Sequence, residues 1–223
     1  MTEVDFHFDV MCPWAYQTSK WIREVTGQRD VAVRWRFFSL EEINREEGKK
    51  HPWERPWSYG WSILRVAALI RRGPSGNENV GRFYTAAGRS LHEEGVKVHT
   101  PEGVAAVLAE LDLDPHLLDA AMADETTHED VRADHDRLVA LGGFGVPTLV
   151  LDGATPLYGP VVTPAPTGPA AGRLWDAVAA WSEFPHLYEL RRPKTQADWV
   201  HIAGSFAPYI SARDWRTIER PVS

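Results

Sequence analysis

The chain has 223 residues, 43% hydrophobic and 25% charged, a balance that excludes wholesale disorder and suits one domain with a sizeable insertion. Its 24 basic and 31 acidic residues leave a net charge of −7, which argues against a nucleic-acid footprint or a polybasic membrane surface. The best apolar run, Val66 to Ile70, is far short of the ~20 residues that span a bilayer. The start, Met1 to Asp5, has neither the basic nor the apolar region of a secretory signal, so a cytoplasmic location is expected. The single cysteine, Cys12, excludes an internal disulfide and a cysteine-rich zinc site. Ten tryptophans are many for this length, and several are expected to line a groove.

In chain order, Val4, Phe6, Phe8 and Val10 alternate with Asp5, His7 and Asp9, and Val31, Val33, Trp35 and Phe37 alternate with their neighbours. Both segments predict strands. Pro13 to Val25, with proline at the first helical position and Gly27 beyond the end, predicts a helix between them. Strand, helix, strand implies a right-handed crossover and a parallel pair. The doublets Glu41-Glu42, Glu46-Glu47 and Lys49-Lys50 predict a solvated loop.

From about 57 to 142 the apolar period is helical, as in Ile63, Val66, Ala67, Ile70 and in Val104, Val107, Leu108, Leu111, giving four or five helices. Thr100-Pro101 and Asp114-Pro115 are cap-plus-proline pairs, and Thr127 with Asp130 resembles a capping box. Trp53, Trp57 and Trp61 repeat every four residues, so an early-starting helix would carry all three on one face, Trp57 and Trp61 as a lid over Cys12. A strand at 148–151, a turn at Asp152-Gly153, a strand at 155–158, a proline-rich loop and a helix over Ala171, Leu174, Trp175 and Val178 follow. No clean period continues past Pro193, and 194–223 reads as a C-terminal extension.

The order β-α-β, helical insert, β-β-α, with a thiol at the first helix start and Val146-Pro147 before a later strand, is the layout of an α/β, thioredoxin-like fold carrying an insertion. Residues 1–56 and 143–193 form the core, and 57–142 the inserted all-helical lid. Cys12 at a helix start meets free amides and a positive dipole end, so a lowered thiol pKa is expected. In this fold the Val146-Pro147 bond is cis and exposes the Val146 backbone as a short edge for a thiol ligand. Pro13 lacks an N–H, Trp14 is placed to stack on an aromatic substrate, and Asp9 either assists proton transfer or satisfies loop amides. The histidines and carboxylates show no metal-ligand spacing, and no phosphate loop supports a nicotinamide or flavin site.

Phe8-Asp9 through Cys12-Pro13-Trp14, Gly60-Trp61, Arg65-Val66-Ala67, Gly88-Arg89 with His92, Gly145 to Thr148, Tyr158 to Val161, Ala171 to Ala177 and Phe184-Pro185-His186 together resemble the DsbA-like thioredoxin superfamily, and within it the actinobacterial mycothiol-dependent nitroreductases. The resemblance covers about residues 3–193. It implies a cytoplasmic oxidoreductase that takes electrons from mycothiol, acts on a small, possibly aromatic substrate, often dimerises, and closes its helical insert as a lid. It also places His92 near the thiol, as proton donor or substrate hydrogen-bond partner. The family motif is Cys-Pro-Trp-Cys, and position 15 here is Ala. Three explanations stand at this point: a monothiol enzyme resolved by a second small thiol, a relative working by thiol transfer or isomerisation like the kappa-class glutathione transferases, or an engineered change. A non-catalytic thiol-binding module is a reading from a different class.

Overall fold

The alternating segments at the start of the chain form β1 (Thr2–Phe8) and β2 (Val31–Phe37), joined through α1 (Pro13–Thr26) and paired in parallel with Phe6 beside Trp35. The computed structural model describes residues 1–213. β3 (Thr148–Leu151) pairs antiparallel with β1, and β4 (Leu157–Tyr158) antiparallel with β3, giving the sheet order β2-β1-β3-β4. The second hairpin strand is thus two residues long, where alternation predicted four.

The sheet's two faces differ in chemistry. Val4, Phe6, Phe8, Trp35 and Phe37 are buried on one face, where Phe8 stacks on Tyr84 at 4.0 Å between ring centres. On the other, buried Asp5 accepts from the guanidiniums of Arg34 and Arg36. The free edge of β2 is closed by side chains: Trp35 N donates to Asn77, Asn77 donates to Val33 O, and Phe37 N donates to Asp134. These substitutes for a neighbouring strand remove the edge as a pairing template.

Between β2 and β3 lie a short α2 (Leu40–Ile43), a 3₁₀ turn at Pro52–Glu54 and five longer helices: α3 (Tyr59–Arg72), α4 (Gly76–His92), α5 (Pro101–Glu110), α6 (Leu117–Ala123) and α7 (Thr126–Ala140). α4 packs closely on α1: a Cβ at Gly88 would run into the Tyr16 ring. α8 (Pro169–Trp181) packs on α1, and the Trp21 indole donates to Ala171 O. Among the described residues, no helix is long and apolar enough to cross a membrane.

Several local expectations are corrected. Glu41 and Glu42 are not a solvated doublet: Glu41 accepts from Gly60 N and Trp61 N and so caps α3, while Glu42 meets His51. Trp53 sits in the 3₁₀ turn and Trp57 precedes α3, so the three tryptophans share no helix face. α6 starts after Asp114-Pro115, at Leu117. Thr127 lies inside α7 and donates back to Asp124 O, so it closes a turn and makes no capping box with Asp130. The expected extension is structured: α9 (Gln196–Ser205) opens with a Thr195–Asp198 capping box, and α10 (Ala207–Ala212) follows. Residues 214–223 of that extension lie outside the described residues.

Candidate active site

Cys12 is the N-cap of α1, extended at φ −92° and ψ 110°, with Pro13 opening the helix. Its sulfur accepts from Ala15 N at 3.4 Å, one of the amides that a helix start leaves without an internal partner. The S–H donates to Val146 O at 3.5 Å. The Val146–Pro147 bond is cis, and Val146 and Pro147 are both buried, the Pro147 carbonyl accepting from Gly159 N. β1 and α1 thus present the thiol, and the loop before β3 presents a carbonyl to it. Phe38, Leu138, Val146, Val150 and fully buried Ala15 pack around the sulfur's cluster, with Trp14 partly exposed beside them.

Burial reverses the expected ionisation. Cys12 is only 6% exposed. Burial pushes its thiol up to about 12; the amides of Ala15 and Trp14 oppose that shift and the buried Asp9 charge adds to it. The lowered pKa expected from the helix start therefore fails in this arrangement, because desolvation of a thiolate outweighs two amide dipoles. The donor role of the S–H toward Val146 O is that of a neutral thiol.

Asp9 lies fully buried beneath the turn. Its carboxylate accepts from Met11 N at 2.9 Å and Leu40 N at 2.7 Å, so it does satisfy loop amides. Burial nevertheless raises it from 3.8 to about 7, and Glu41 adds to the rise, so Asp9 titrates close to neutrality within the site. A Cβ at residue 60 would come 3.0 Å from an Asp9 oxygen, which explains a glycine in the first turn of α3.

His92 closes α4 and is buried, not a surface residue. Its Nε2–H donates to Val10 O at 2.8 Å, which leaves Nδ1 as a bare acceptor with no partner among the described residues. Burial lowers it to about 4, so the imidazole is neutral. Its ring stacks on Tyr16 at 5.1 Å, and the Tyr209 ring centre also lies 5.1 Å from it, tilted by 40°. Trp61 is 1% exposed; its indole N–H donates to His128 Nδ1 at 2.7 Å and its ring packs on Trp53. Trp57 donates to His99 O. Neither forms the anticipated lid over Cys12: the pair holds α3 to the surrounding helices and loops.

Sequence reasoning missed the groups that surround the sulfur from distant parts of the chain. Tyr84, Tyr158 and Tyr209 lie close enough that charge on Cys12 opposes their ionisation, which burial already disfavours. Phe206, from the C-terminal helices, packs edge-on against Trp14 at 4.8 Å. The Thr195–Asp198 capping box was the one local signal of those helices. Among the described residues there is no cluster of three metal-ligating side chains.

A thiol at the first turn after β1, a cis-proline loop facing it, and helices inserted between β2 and β3 define a DsbA-like protein of the thioredoxin fold. The chain superposes on the probable DsbA oxidoreductase SCO1869 from Streptomyces coelicolor with a TM-score of 0.59, at 20% identity, covering 87% of this chain and 96% of that one. A 2-hydroxychromene-2-carboxylate isomerase gives 0.58 at 14% identity, over 81% and 95%. The family model described as Rv2466c-like, mycothiol-dependent nitroreductase Rv2466c, matches residues 11–192, and the chain belongs to that family. It is a thiol-dependent oxidoreductase. It is also 54% identical over 220 residues to uncharacterized protein Rv2286c of Mycobacterium tuberculosis (strain ATCC 25618 / H37Rv), covering 99% of this chain and 94% of that protein.

Proposed function

We propose that the protein is a mycothiol-dependent reductase of small electron-poor substrates, nitro compounds among them, working through Cys12 alone. The observation that carries this reading is the Cys12 sulfur set between the Ala15 amide and the Val146 carbonyl. Cys12 and one mycothiol together yield two electrons and two protons as an S–S bond forms between them. A nitro group that takes up both leaves as a nitroso group and water. A second mycothiol then exchanges at the mixed disulfide, which frees Cys12 and releases oxidised mycothiol. Asp9, whose charge acts on the Cys12 thiol and which titrates near neutrality, would take the thiol proton.

A cavity of about 420 Å³ flanks α1 and is lined by Gln17, Lys20, Glu24, Thr163, Thr167 and Ser205, among others. Thr163 Oγ1 there is buried with no partner among the described residues. Hydroxyl, amide and charged groups of this kind suit the sugar-bearing head of mycothiol. Trp14, Pro13 and the Val146-Pro147 edge would hold the thiol end and the substrate.

Intact-protein mass spectrometry after exposure to oxidised mycothiol tests the reading. The expected result is one added mycothiol per chain, absent with Cys12→Ser and reversed by excess thiol. Ala15→Cys should end that accumulation, because an internal disulfide forms instead. Full turnover with Cys12 replaced would overturn the proposal. Ala15 itself favours a second reading: with no sulfur one turn after Cys12, thiol transfer or isomerisation without net oxidation needs no resolving step. Consumption of substrate with no oxidised mycothiol formed would select it.

A further inference from the structure

The Cys12 site is roofed by rings from the chain's own C-terminal helices. Phe206, at the joint of α9 and α10, is 6% exposed and meets the Trp14 ring edge-on at 4.8 Å. One turn further, Tyr209 meets the His92 ring at 5.1 Å, and Pro208 O lies so near Gly95 that a Cβ there would come within 3.2 Å of it. The thiol itself is buried among Phe38, Leu138, Val146 and Val150, with Trp14, the ring that Phe206 meets, beside it.

The roof is lightly fastened. α9 buries no residue, and Trp199, Val200 and Ile210 stay exposed. From α9, His201 Nε2 donates to Thr163 O at 3.2 Å. The stretch from Ser182 to Thr195 that ties these helices to α8 is exposed throughout and contains neither helix nor strand. The family match ends at residue 192, ahead of both helices. Phe206 and Ala212 are the buried residues that hold α10 to the body of the protein. An α9 that buries nothing and a solvent-exposed tether mark a segment that opens at lower cost than the core.

We propose that α9–α10 is a displaceable cover, that Phe206 and Tyr209 occupy the ring-binding surfaces of the site on Trp14 and His92, and that the substrate which takes their place is a flat aromatic molecule. Both surfaces under the cover are themselves rings, and ring on ring in edge or offset contact is what such surfaces select. A ligand without a ring gains little there and does not displace Phe206. Aromatic binding and exposure of the Cys12 sulfur are then one event, and Phe206 and Tyr209 are specificity determinants: they set the threshold that an incoming ring must beat. The inference rests on the reading of Cys12 as the reacting group, and not on mycothiol as its partner.

The test uses the full chain and two alkylating probes, iodoacetamide and its N-phenyl analogue iodoacetanilide, each rate being divided by that of free N-acetylcysteine. The unaltered protein should react at least 10-fold faster with the phenyl probe than with iodoacetamide. Phe206→Ala should raise the iodoacetamide rate at least 10-fold, Trp14→Ala should erase the phenyl preference, and Trp199→Ala should change neither. Unchanged iodoacetamide reactivity in Phe206→Ala would overturn the cover, and equal normalised rates for the two probes would overturn the aromatic subsite. Hydrogen exchange on the unaltered chain gives a reading that needs no variant: amides of 196–212 should exchange well ahead of α1 and α4, and co-exchange with them would refute displacement. Alkylation requires no mycothiol, so these outcomes stand apart from success or failure of mycothiol loading.

Discussion

Replacing Asp9 with Asn separates burial from hydrogen bonding at the centre of the site. The carboxylate is fully buried, accepts two amide bonds at 2.9 and 2.7 Å, and titrates at about 7 in place of 3.8 because desolvation outweighs those bonds. Between these two pH values the folded protein keeps a proton that the unfolded chain has released. Stability contributed by the neutral acid is therefore complete below pH 3.8 and is lost as pH rises through about 7, by roughly 4 kcal/mol. Asp9→Asn abolishes that titration at nearly constant volume. Its amide nitrogen cannot accept, so one buried N–H, of Met11 or Leu40, loses its partner at a cost of about 1–3 kcal/mol. The variant should be less stable than the parent near pH 4.5, and level with it or more stable near pH 8. Urea unfolding at both values measures the difference. A stability gap that does not move with pH would show that the amide bonds hold the carboxyl at its ordinary pKa, and would sink the desolvation argument.

His92 gives the opposite slope. Its folded pKa of about 4 lies below the ordinary 6.5, so acidification through that window protonates only the unfolded chain and destabilises the fold by on the order of 3 kcal/mol; urea midpoints of His92→Gln should lose that dependence, and retention of the full slope would assign it elsewhere. Trp61→Phe removes the indole bond to His128 and should cost about 1–3 kcal/mol, read as a lower Tm, while Cys12 alkylation stays at the parental rate. A changed alkylation rate would return Trp61 to a lid.

The parts of this fold that were legible in the sequence are those that local periodicity encodes. Alternation over 4–10 and 31–37, proline at the start of α1, and the 3.6-residue spacing through α3 and α5 each depend on a residue's near neighbours. The Cys12 and Val146-Pro147 pair was legible too, because fold order places both loops at one end of the sheet. What escaped is what distant segments do to one another. Glu41 reads as one half of a charged doublet until α3 arrives with two open amides above it. Trp61 reads as one of a stripe until a 3₁₀ turn breaks the period and His128 takes its N–H. α9 has no apolar face to detect, since it buries none of its residues, and it is Phe206 and Tyr209 beyond it that pack.

The same division explains the thiol. Helix amides act on Cys12 in every state, because they belong to its own turn, and cysteines so placed in water titrate at roughly 3.5–7.5. Desolvation acts only while the surrounding groups are assembled, and in the assembled state it carries the thiol to about 12. The two influences therefore describe a neutral thiol while it is packed among Phe38, Leu138, Val146 and Val150, and a more acidic one if the site opens to water. For a chain with Ala at position 15 this matters chemically. Oxidation and disulfide exchange proceed through the thiolate, and a lone thiolate has no internal sulfur with which to close a protective, reversible disulfide. A buried S–H donating to Val146 O is a resting form that small oxidants meet slowly, and on the proposed displacement ionisation would wait until the cover is lifted. With Ala at 15 leaving no second sulfur beside Cys12, the proposed cover, and not the motif, would control when Cys12 ionises.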